Sequence, residues 1–71
     1  MKFHYYQETD SLYIELSDRV GSHTREVARG VVLDFDLEGN LVGIDVDSAS
    51  KIVNLSRLEA NSLPIQALAV A

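Results

Sequence analysis

Seventy-one residues, 46% of them hydrophobic, make one small domain in which apolar burial and conformational entropy nearly cancel. With no cysteine there is neither a disulfide nor a thiolate metal site, and two scattered histidines do not make a structural zinc site. A net charge of −5, with six Lys and Arg against eleven Asp and Glu, argues against nucleic acid as a partner, because that affinity rests on basic side chains displacing counterions. Self-association is the stabilising device that remains. The uncharged C-terminal stretch that contains Asn61 to Ala71 is too short to span a bilayer, so no membrane role is expected. Met1-Lys2 leads into Phe3-His4-Tyr5-Tyr6 without an apolar signal core, and the chain reads as an intact cytoplasmic protein.

Lys2 to Tyr6 is rich in aromatic residues and predicts a first strand. The polar break Gln7-Glu8-Thr9-Asp10 separates it from Ser11-Leu12-Tyr13-Ile14-Glu15-Leu16, and the two segments form a hairpin. Leu12, Ile14 and Leu16 share the core face, with Tyr13 and Glu15 opposite, because side chains alternate across a strand. After the polar connection Ser17 to Ser22, the segment His23-Thr24-Arg25-Glu26-Val27-Ala28 is mainly polar on both faces and predicts an edge strand.

The run GVVLDFDLEGNLVGIDVD, Gly30 to Asp47, carries the strongest local signal. Val31, Leu33 and Phe35 share one face, and Val32, Asp34 and Asp36 share the other. After Leu37-Glu38-Gly39-Asn40, residues Val42, Ile44 and Val46 rejoin the apolar set, while Leu41, Gly43, Asp45 and Asp47 lie opposite. The period then changes. Ser48-Ala49-Ser50 offers capping hydroxyls, and Ile52, Leu55 and Leu58 are spaced for a helix from about Ser50 to Ala60, with a shorter second helix starting at Asn54 or Ser56 as the alternative. Asn61-Ser62-Leu63-Pro64 ends it, and Ile65, Leu68 and Val70 make an apolar tail, suited to a short helix or an arm on a neighbouring subunit, or else frayed.

Three constellations invite a chemical reading. Asp34-x-Asp36-x-Glu38-Gly39-Asn40 imitates the start of a calcium loop, but no bidentate glutamate closes it and strand formers flank it, so a hairpin turn is the better reading. Asp34, Asp45 and Asp47, with Glu15 and His4 on the same sheet face, resemble an acid/base cluster, yet one sheet under one helix offers little depth for a pocket, and solvated carboxylates are the ordinary outcome. Tyr5, Tyr6 and Tyr13 read as sheet packing with their hydroxyls in water, and His4 and His23 as lone cross-strand residues. Gly30, Gly39 and Gly43 suit turns, a bulge or a close contact. No catalytic, cofactor-binding or metal-ligating residue is assigned, and no cofactor is expected.

Tyr5 with Asp10-Ser11-Leu12-Tyr13-Ile14, then Glu26-Val27-Ala28-x-Gly30-Val31-Val32-Leu33-Asp34-Phe35-Asp36, Gly39, and Leu41-Val42-Gly43-Ile44-Asp45 followed by Ala49-Ser50, resembles the YuzE-like family of short bacterial domains of unknown function (DUF2283). The similarity runs from about Met1 to Ser50; Tyr6 and Gln7 stand where that family usually has an acidic residue and a proline. The resemblance implies a small β-meander with a C-terminal helical segment and no established activity. Some members are encoded beside small toxin-like proteins, which implies an antitoxin-like role and a basic toxin-like partner.

The expected architecture is therefore α+β: an antiparallel meander of four to five strands packed on one face by a C-terminal helix. Residues 1–60 form the domain and 61–71 an association arm. The expected core is Leu12, Ile14, Val31, Leu33, Phe35, Val42, Ile44, Val46, Ile52, Leu55 and Leu58. The expected function is a non-catalytic interaction module, homo-oligomeric and antitoxin-like, with a small metal-binding protein or enzyme on the carboxylate face as the alternative.

Overall fold

The computed structural model describes residues 1–57, 59, 61, 69 and 70. Five antiparallel strands form its sheet: β1 (Lys2–Tyr6), β2 (Ser11–Glu15), β3 (His23–Ala28), β4 (Val31–Phe35) and β5 (Leu41–Val46). One short helix, α1 (Ala49–Ile52), follows, and a two-residue strand β6 (Ala69–Val70) pairs parallel to Lys2 and Phe3. The order across the sheet is β3-β4-β5-β2-β1-β6. Thus β3, β4 and β5 are a meander, and the β1–β2 hairpin docks against the far side of β5. The connection after β2 crosses to the opposite edge, where β3 sits, as its polarity on both faces predicts.

Local chemistry sets the turns. The β4–β5 turn closes through the Gly39 N–H on the Asp36 carbonyl at 3.2 Å and the Asp36 N–H on the Asn40 carbonyl at 2.9 Å. Gly39 takes φ +86°, a left-handed conformation that costs glycine nothing. The Asp36 carboxylate accepts the backbone N–H of Glu38 at 2.9 Å, that of Asn40 at 2.8 Å, and the Asn40 side-chain amide at 3.2 Å. Both its oxygens are occupied by the turn itself, which is why a carboxylate only 5% exposed is tolerated here. Those backbone donors, together with Asn40, also hold its pKa below the ordinary aspartate value against the opposing effect of desolvation. The hairpin reading of this segment is the observed one.

Register confirms the faces. Leu12 lies opposite Val46, Ile14 opposite Ile44, Val31 opposite Val46 and Leu33 opposite Ile44, which gives one continuous apolar face. A register shift between Asp34 and Phe35 places Phe35 against Leu41 and leaves Val42 as the extra residue. The Val42 carbonyl accepts the N–H of Leu16 at 2.9 Å and of Ser17 at 3.3 Å, tying the end of β2 to the bulge.

The helix departs from expectation. Instead of Ser50 to Ala60, a single turn spans Ala49–Ile52, and the secondary structure of the described residues is mostly β. Val53 is extended at φ −123° and ψ 156°, and the Asn54 side-chain oxygen accepts both the N–H of Ser56 at 3.0 Å and its hydroxyl at 2.6 Å. That local turn competes with helical bonding, and β-branched Ile52 and Val53 do little to oppose it. Ile52 and Leu55, expected in the core, are exposed. Leu58 and Ala60 lie outside the described residues.

The core is correspondingly thin. Among the described residues the buried apolar side chains are Val42, Val46 and Ala49, while Leu12, Ile14, Val31, Leu33, Phe35 and Ile44 are half-buried. The tail, expected as an arm on a neighbour or as frayed chain, places Ala69–Val70 on its own β1; residues 62–68 lie outside the described set.

Candidate functional site

The sheet's second face collects several of the chain's ionisable groups. Reading across the strands, Glu26 opposes Val32, Val32 opposes Asp45, Asp45 opposes Tyr13 and Tyr13 opposes His4. The adjacent row runs Thr24, Asp34, Gly43, Glu15, Lys2. The structure therefore brings together His4, Glu15, Asp34 and Asp45, as strand alternation predicts. Asp47 lies beyond β5, where its N–H bonds the Gly30 carbonyl at 2.7 Å.

Tyr13 is the organiser that sequence reasoning missed. Its hydroxyl donates to Asp34 Oδ2 at 3.1 Å, and its ring lies across Gly43 so closely that a Cβ there would collide with it. A Cβ at Gly21 would likewise strike the Asp34 carboxylate. The expectation that the tyrosine hydroxyls face water is thus corrected for Tyr13 and for Tyr5. Desolvation, and then the bond to Asp34, raise the Tyr13 pKa, so it is a neutral donor rather than a phenolate nucleophile. Asp45 is also raised, first by burial and then by Asp47. His4 Nε2 stands 3.4 Å from Glu15 Oε1, and its ring lies 6.4 Å from that of Tyr13. His23 is at the other end of the sheet, stacked on Phe35 at 5.6 Å, so the two histidines share no site.

A second network clamps the β1–β2 turn to the helix. Asp10, at φ +53°, accepts the Tyr5 hydroxyl on Oδ1 at 2.7 Å and the Ser50 hydroxyl on Oδ2 at 2.7 Å, with the Ser50 N–H at 3.1 Å from Oδ1. Its carbonyl accepts the Ala49 N–H at 2.8 Å. Bonds from Ser50 and then Tyr5 hold the Asp10 carboxyl below its usual range, while the same contact raises Tyr5. The capping group is therefore Asp10, distant in sequence; Ser48, expected to cap, makes no side-chain cap bond and adopts φ +50°. Proximity of Asp10 and Ser50 carries no sequence signal, because they are 40 positions apart.

Chemically, the carboxylate face can attract cations and basic side chains. Among the described residues no three His, Asp or Glu side chains are grouped to hold a metal ion. The cleft beside Tyr13, lined by Glu15, Ser17, Asp18 and Arg19, has a volume of about 210 Å³, below the roughly 300–1,000 Å³ of small-molecule sites. No helix among the described residues is long and apolar enough to cross a membrane.

The residues that shape both networks (Tyr5, Asp10, Tyr13, Asp34, Gly43 and Ser50) all lie between residues 2 and 50. No curated protein and no solved structure matches the chain. A sequence model described as "Protein of unknown function (DUF2283)" matches residues 2–50, which is more than half of the chain, and the protein belongs to that family.

Proposed function

We propose that the domain is a non-catalytic interaction module of the cytoplasm that associates with a second copy of itself through the apolar face of β2, β4 and β5. The observation that carries this reading is the thin core: among the described apolar side chains only Val42, Val46 and Ala49 are buried, the helix is a single turn, and Leu12, Ile14, Leu33 and Phe35 are only half-buried. At this chain length a half-covered apolar face is a stability deficit that a second copy removes. The antitoxin-like role is a narrower version in which the acidic face engages a basic toxin-like protein; Glu15, Asp34 and Asp45 on one side of the sheet support it.

The test is the absolute mass of the protein in solution, by light scattering across a tenfold concentration range. A mass of twice 7.9 kDa or more that holds on dilution is expected. A monomer at every concentration defeats the self-association.

A further inference from the structure

We propose that β3 takes up an extended basic segment of another protein as an added strand of the sheet, with lysine or arginine side chains lying over Glu26 and Asp34. The inference rests on the interaction-module reading above and names where, and with what chemistry, a partner other than a second copy binds.

All six residues of β3 are exposed, and among the described residues no strand lies beyond it. An edge strand presents a row of unpaired N–H and C=O groups, which is the template for strand addition. The register shift that leaves out Val27 confines the regular part of this edge to His23–Glu26, where the pairs with Phe35, Asp34, Leu33 and Val32 run unbroken.

Side-chain rows decide what such a strand must look like. Beyond Glu26 the row continues to Asp45, and beyond Thr24 it continues to Asp34 and Glu15. A neighbouring strand sits about 4.8 Å away, so a long basic side chain placed beside Thr24 or Glu26 reaches the carboxylates of both β3 and β4. On the opposite face Arg25 and His23 lie beside Leu33 and Phe35, where alternate positions of the added strand take apolar residues and extend the apolar face. The complementary segment therefore alternates basic and apolar residues.

A second copy of the chain fits this edge poorly. Pairing around a two-fold axis perpendicular to the sheet keeps each face on its own side, so within His23–Glu26 the two fullest registers centre on Thr24 or on Arg25. Both set the Thr24 and Glu26 face against itself, where β3 carries no basic side chain, and the second also places Arg25 against Arg25. A second copy therefore brings no cation to Glu26 and Asp34, whereas a basic strand does.

The probe is a short capped peptide alternating lysine and valine, titrated into the full-length protein while amide chemical shifts and solution mass are followed together. Saturable binding with shifts concentrated on His23–Glu26 is expected, weakened about tenfold by Glu26→Lys and by exchanging the peptide lysines for glutamate. N-methylation of alternate peptide amides on the pairing side is expected to abolish binding. Equal affinity of the methylated peptide, shifts located away from β3, or no binding of the lysine peptide overturns the inference. A persistent dimer that ignores the peptide leaves the self-association reading intact, whereas a monomer that binds it on β3 sinks self-association and keeps this proposal.

Discussion

The Tyr13 ring occupies the space in which a side chain at Gly43 would stand, two positions that face each other diagonally across β2 and β5. The absent Cβ lets the ring lie flat on the sheet and carries its hydroxyl to Asp34 on β4, so one glycine links three strands.

Gly43→Ala is therefore expected to destabilise the fold by about 1–3 kcal/mol, the usual cost of overpacking a tight contact. Urea unfolding of Gly43→Ala, Tyr13→Ala and the double variant checks it. The double variant should lose clearly less than the sum of the two singles, because removing the ring removes the clash; additive losses would show that the contact is not the reason for the glycine.

Asp10 and Asp36 titrate below the ordinary aspartate value when folded, Asp10 chiefly through Ser50 and Asp36 chiefly through Asn40. Their stabilisation is complete above the unfolded carboxylate range near about pH 4 and disappears as pH falls through their depressed folded values. Asp10→Ala should consequently lower the urea midpoint at neutral pH, with the gap to the unmodified protein closing near about pH 2. A gap of equal size at both pH values would mean that the carboxylate charge does not matter to the clamp.

Asp45 has the opposite sign. Its folded pKa is raised by desolvation and by Asp47, so the ionised form costs stability above that pKa and the cost vanishes as pH falls through it. Asp45→Asn is expected to raise the thermal midpoint at neutral pH and to leave it unchanged in acid. A lower midpoint at neutral pH would reveal a favourable partner for this carboxylate.

Ser48 holds a left-handed conformation at φ +50° without making a cap bond. Ser48→Gly relieves that conformation and should be neutral or stabilising by up to about 1 kcal/mol. Loss of stability by a comparable amount in thermal unfolding would restore a capping role to the hydroxyl.

Ile52 and Leu55 are 47% and 42% exposed, so replacing either by alanine should cost less than about 1 kcal/mol, against roughly 2–5 for a packed position. Chemical denaturation of the two variants distinguishes these ranges. Losses in the upper range would mean that both side chains are packed in solution.

Much of the sheet was legible in the residues. Alternation of Leu12 and Ile14, of Val31, Leu33 and Phe35, and of Val42, Ile44 and Val46 placed the strands and their faces, since a period of two leaves little freedom. The polarity of His23–Ala28 marked an edge, and Leu37-Glu38-Gly39-Asn40 marked a turn, because those signals reside in a few adjacent residues; that Asp36, expected on the solvated face, is buried as the acceptor of that turn was not legible. Helical spacing of Ile52, Leu55 and Leu58 misled: a side-chain turn at Asn54 outweighs weak periodicity that has no packed face to reinforce it. Only the tertiary structure decided that the first hairpin docks on β5, that Asp10 rather than Ser48 serves the helix start, and that Tyr13 reaches Asp34 over Gly43. Those contacts join residues far apart in the chain, and it is the closing of the sheet, not any local preference, that brings them within hydrogen-bonding distance.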